Sequence, residues 1–226
     1  MLRYLFLPAL VMLLQGCAVA GTQGTLPQQR LADRLPPRIG DFARQEVAAI
    51  DGNSGNLRIR YAEQAQGAWA SVFVLRPPGA PLPDGAGSEA VRRDVAEAAL
   101  VISLYAAAQP GTRIERGPDF SMTAQGKAVP SLRCAEFRMG TPQIPVLKRE
   151  MVCSSGVEGM LVRVRATVRH NPKDMDPAHL YLSGFSGRVT ELMRGAAQPT
   201  AAESGPPARP ATGTPEAPLS GPLQRL

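Results

Sequence analysis

Aromatic residues are scarce in this chain, at 5% of 226 residues with a single Trp. Hydrophobic residues nevertheless reach 44%, the ordinary level for a globular domain, so a core can form but must be built mainly from aliphatic side chains. Histidine is rarer still. His170 and His179 are the two present, both in or beside turn-forming stretches, with no H-E-x-x-H, no C-x-x-C and no carboxylate cluster near them. Metal-ligand spacing is therefore lacking, and neither a metal nor another cofactor is expected. The Lys/Arg runs typical of nucleic-acid binding are also lacking, which argues against DNA or RNA as partners. The net charge of +6 points instead to anionic partners of another kind.

Catalytic signatures are equally thin. Ser183-Gly184-Phe185-Ser186-Gly187 fails the G-x-S-x-G spacing because Arg188 stands where the last glycine belongs. Gly126-Lys127 lacks the glycine-rich loop and hydroxyl of a phosphate-binding loop. Glu115, Asp119, Glu136 and Glu150 are scattered, and nothing in their spacing pairs them. An enzyme is therefore the lesser expectation, and no catalytic residue is assigned.

What the chain does have begins at its first residues. Arg3 precedes an apolar run over residues 4–14. That is the length of a signal-peptide core, well short of the roughly 20 residues needed to span a bilayer. The run closes on Leu14-Gln15-Gly16-Cys17, which resembles the lipobox of bacterial lipoproteins. The resemblance implies cleavage before Cys17, a diacylglycerol on its thiol and acylation of the new amino group. Ala18 after the cysteine resembles the class sorted to the outer membrane, with the body facing the periplasm. Ala18-Val19-Ala20 offers the competing reading, an ordinary secretory signal cut after an A-x-A pattern. Either cut leaves Cys134 and Cys153 as a pair in an oxidising compartment. If their strands pair antiparallel about residues 141–145, a register joining 134 to 153 also sets Met139 opposite Lys148. A disulfide is then expected.

The rest of the chain divides readily. Residues 1–16 read as the signal peptide. Residues 17–37 read as the lipidated cysteine and a flexible tether, residues 38–195 as one folded domain, and residues 196–226 as a disordered Pro/Ala/Gly-rich tail. In the domain, residues 57–61 alternate as a half-buried strand, and residues 69–75 are apolar on both faces, hence central. Ser88 caps a helix to about residue 108, with Val91, Val95, Ala98, Ile102 and Tyr105 on its buried stripe. Arg92, Arg93, Asp94 and Glu97 fall mostly away from that stripe. Residues 112–115, 131–139, 146–154 and 157–169 read as further strands. Asp176-Pro177 reads as the cap and first residue of a second helix to about residue 194, burying Leu182, Phe185, Val189 and Leu192. The order predicts an α+β domain, a mainly antiparallel sheet packed with two helices.

One chemical pattern remains. Arg58 and Arg60 on one strand, and Arg163, Arg165 and Arg169 on another, alternate with apolar residues, with Arg58, Arg60, Arg163 and Arg165 the candidate site. Such residues commonly form the solvated face of an antiparallel sheet. The alternative is a basic platform for phosphate or carboxylate, since guanidinium grips both bidentately. On either reading they should be exposed, and replacing Arg163 and Arg165 by Gln should shift stability by no more than about 0.5 kcal/mol per site. The expectation is an accessory or binding module held at the envelope, its partners the membrane through the lipid and an anionic envelope component or protein. The alternatives are an envelope hydrolase with a site assembled from scattered residues, and a carrier with an apolar cavity.

Overall fold

The computed structural model describes residues 26–196, apart from 53, 125, 143 and 171–174. Cys17 with its signal segment, and residues 197–226 of the tail, lie outside the described residues.

The domain is α+β, as its element order predicts. The elements are α1 (Pro27–Asp33), β1 (Arg38–Ile39), β2 (Phe42–Ala49), β3 (Leu57–Glu63), β4 (Ala68–Leu75), α2 (Glu89–Ala107), β5 (Arg113–Arg116), β6 (Phe120–Met122), β7 (Leu132–Thr141), β8 (Ile144–Val157), β9 (Met160–His170) and α3 (Met175–Met193). The strands make one antiparallel sheet in the order β1-β2-β3-β4-β9-β8-β7-β5, with β6 also paired to β7. β4 is central, as its two-sided apolar pattern requires. β8 and β9 turn through Glu158 and Gly159, both at positive φ, the geometry of a two-residue hairpin. Residues 157–159 therefore close a hairpin rather than begin a strand.

Two corrections concern the ends of the fold. The expected tether over residues 17–37 stops short, because residues 27–33 form α1, and Leu31 and Leu35 are 1% and 2% exposed in the core. Pro27 opens this helix where its missing N–H costs nothing, and the leucines supply an anchor that the polar composition around them hid. Met175 already lies in α3, so Asp176 is inside the helix rather than its cap. Pro177 sits in the first turn, where no backbone donor is needed.

Helices cover the two faces unequally. On one face α1 and α3 enclose the larger core, where Leu182, Phe185, Val189 and Leu192 meet Ile59, Val72, Val162 and Val164. Tyr61 is buried there and donates to the Pro36 carbonyl at 2.9 Å. Burial pushes its phenol up from 10.0 to about 12. The unfolded phenol ionises first, so Tyr61's contribution is intact below pH 10 and lost as pH rises through about 12. Tyr61→Phe should flatten the alkaline fall in stability over that interval; an unchanged alkaline limb would contradict this assignment.

Cys134 and Cys153 lie in this same core. They stand opposite one another with sulfurs 2.08 Å apart, at disulfide distance, and Met139 pairs with Lys148 in the expected register. Replacing both cysteines by Ser should cost about 2–4 kcal/mol in denaturant titration. Two alkylatable thiols in the unfolded, unreduced protein would refute the bond.

On the other face α2 packs over β5, β7 and β8, burying Val95, Ala99, Ile102 and Ala106 against Ala135, Phe137 and Val152. The Ser88 hydroxyl accepts from the Val91 N–H at 3.2 Å and caps the helix as expected. The buried stripe is rotated from the expected one. Ala99 and Ala106 face the sheet, where small side chains allow close approach, and Tyr105 turns outward at 61% exposed. Asp94, expected to point away, is buried.

Candidate functional site

Beyond α2, no helix among the described residues covers the same sheet face over β9, β4 and β3. The register lays three rows of side chains across this open strip. Arg58, Phe73, Arg163 and Ser154 form the first row, and Arg60, Ser71, Arg165 and Val152 the second. Ala62, Trp69, Thr167 and Glu150 form the third. All four predicted arginines thus share one face, and the strand between them contributes Trp69, Ser71 and Phe73.

The strip and the flank of α2 enclose a trough in two adjoining parts. One part, about 430 Å³, is lined by Trp69, Tyr105, Lys148, Glu150, Arg58 and Arg165 among others. The second, about 250 Å³, continues past Phe73, Val101, Arg163 and Glu97. Trp69 is 43% exposed, and the Lys148 ammonium lies 6.0 Å from its ring centre. Arg163 stands 5.9 Å from the Phe73 ring. Both are cation–π distances.

Arg60 is exposed as expected, at 58%, and Arg58 and Arg165 are half-exposed, but Arg163 departs from the expectation, and all four are held in ion pairs. Arg163 is only 25% exposed and grips Asp94 bidentately, its Nε donating to Oδ2 at 2.9 Å. The Ser154 hydroxyl donates to the same oxygen at 2.6 Å. The hydrogen bond from Arg163 itself to Asp94 raises the Arg163 pKa above its ordinary value. Arg165 pairs with Glu150, which is 1% exposed, and the Lys148 ammonium lies 3.3 Å from the same carboxylate. Arg58 and Arg60 share Glu46 at 3.3 and 3.5 Å. Glu150 thus serves Arg165 and Lys148 beside Trp69, while Glu46 serves Arg60 and, in the Phe73 row, Arg58; two carboxylates for four cations leave uncompensated positive charge along the aromatic wall. In the Phe73 row Asp94 neutralises Arg163, and Glu97 adds an acid to that part of the trough.

Sequence reasoning found the arginines but missed Trp69, Phe73, Val101, Tyr105, Lys148 and the two buried acids. The alternation Trp69-x-Ser71-x-Phe73 was the available signal. Those residues occupy the half of β4 that a second helix layer would normally cover.

A second polar group lies on the α3 face. His179 Nδ1 is 3.1 Å from Glu136, whose other oxygen is 3.0 Å from Arg149. They line a cleft of about 260 Å³ with Gly117, Pro118 and Arg138. The pair is an imidazole and a carboxylate in contact, and none of the lining residues carries a hydroxyl or thiol. Glu115 and Asp119 are taken by Arg138 and Arg116. Ser186, from the elbow-like stretch, is buried and donates to the Leu182 carbonyl within α3. Among the described residues no three His, Cys, Asp or Glu side chains converge to hold a metal.

No protein-family model matches this chain, and no curated protein matches it significantly.

Proposed function

We propose that this protein is an exported, lipid-anchored module of the cell envelope that binds an anionic, partly apolar partner in the trough beside α2. The observation that carries the binding reading is the pairing of an exposed Trp69 with four cations sharing two carboxylates. An aromatic wall provides apolar contact area, and the surplus positive charge selects for an anion. The trough is open and half polar, which suits a surface-bound partner better than an enclosed apolar cargo.

The anchor in this proposal is Cys17, in the outer membrane and facing the periplasm. The described fold begins at Leu26, beside Gly55 in the β2–β3 turn. The leash is then much shorter than the sequence implies, with a reach of at most about 30 Å. Trp69 lies at the far end of β4 from that turn and on the opposite face from α1. The trough accordingly faces away from the point of attachment.

Two measurements test the reading. Cys17→Ser should release the protein from the membrane fraction or stall its processing, whereas a mature chain beginning at Gly21 would sink the anchor. Trp69→Ala should weaken capture of the crosslinked partner in intact cells by at least about tenfold, the effect of losing an aromatic anchor. Binding should also weaken with added salt. A folded Trp69→Ala protein that captures the same partner undiminished would dismiss the trough.

A further inference from the structure

The trough beside α2 has the width and lining of a helix position. Neighbouring strands are about 4.8 Å apart and packed helices 8–10 Å apart, so two strands carry one helix. α2 lies over β7 and β8, and the next helix position on that face therefore lies over β9 and β4, where the trough is. α2 itself is finished as though for a neighbour. Val101 and Tyr105 line the trough, and Leu100 and Leu104 continue the apolar surface outward, all four 58–61% exposed. Exposed apolar surface of this continuity, bordered by charge, marks an interaction site.

We propose that the occupant is an amphipathic helix of a partner protein, lying alongside α2. Its apolar face would rest on Trp69, Phe73, Val101 and Tyr105. Its acidic residues would meet the surplus cations along the aromatic wall, with Arg58 and Arg60 at the rim. This rests on the binding reading above and names the partner's chemistry. A protein helix fits better than a lipid headgroup, because the trough faces away from the attachment point and its apolar lining runs along α2 from Ala98 to Tyr105, about two turns. Recognition is of the helix-in-groove kind, with anchors at i, i+3, i+4 and i+7.

The test places a photocrosslinking residue singly at Ser71, Val101 and, as a control on the opposite face, Leu180 in the full anchored chain. Adducts are mapped by mass spectrometry in intact cells. The expected result is adducts from Ser71 and Val101, not Leu180, to one acidic segment of one protein at three- and four-residue spacing. Adding Arg58→Glu and Arg60→Glu should cut the yield about tenfold. Adducts at every second residue, or adducts to a lipid or a glycan, would overturn the helix while leaving the trough as the binding site. Absence of adducts at both Ser71 and Val101 would overturn both readings.

Discussion

Arg163→Gln is expected to destabilise the domain by about 3 kcal/mol, about twice the cost of Arg165→Gln, although the two arginines occupy equivalent places in one alternating strand. The difference lies in what each leaves behind. Without Arg163, Asp94 remains 5% exposed with only the Ser154 hydroxyl, and an uncompensated buried charge costs about 3–5 kcal/mol. The lower end applies because Arg163 is itself 25% exposed and its removal admits some water. Without Arg165, Glu150 keeps the Lys148 ammonium at 3.3 Å to balance its charge, and the loss should be that of one charge-assisted hydrogen bond, about 1.5 kcal/mol. Asp94→Leu combined with Arg163→Met should recover most of the stability, since well-packed apolar residues often replace a buried ion pair without penalty. Urea titration of the single and double variants decides it. Equal losses for Arg163→Gln and Arg165→Gln would show that Asp94 is solvated in the folded protein.

Gly156→Ala should cost about 3–5 kcal/mol and disturb α2 at a distance. Gly156 exchanges two backbone hydrogen bonds of 2.9 Å with Gly85, and the Leu82 N–H reaches Gly159 at 3.1 Å. These contacts hold the loop over residues 77–87 against the β8–β9 hairpin. A β-carbon at Gly156 would fall far inside van der Waals contact distance of the Pro83 carbonyl oxygen, and backbone there cannot simply rotate away. The loop must lift or the hairpin must shift, an overpacking penalty at the upper end of its range. Because the loop leads directly to the Ser88 cap, the first turn of α2 should lose hydrogen-exchange protection together with Gly85. Gly87→Ala, where a β-carbon meets nothing within 4 Å, is the control and should be nearly neutral. Equal stability of the two variants would mean the loop is not clamped.

The α+β class, the cap at Ser88, the central place of residues 69–75 and the Cys134–Cys153 register were all legible in the sequence. Each rests on local chemistry: a hydroxyl before an apolar stripe, an alternating pattern, a loop that fixes pairing. α1 was not legible. Seven residues with two leucines nearby carry too little periodic signal, and only burial against β3 and β4 makes them a helix. Nor could the sequence tell the arginines apart. Alternation assigns Arg58, Arg60, Arg163 and Arg165 to one side of a strand, but partners from distant segments set their environments. Asp94 reaches Arg163 across 69 positions of chain, and Glu150 reaches Arg165 across 15. The trough is still further from local information, since it exists because α2 lies over β7 and β8 instead of β4 and β9. Strand periodicity determines which residues share a face. Only the packing of helices on that face decides which of them water, or a partner, can reach.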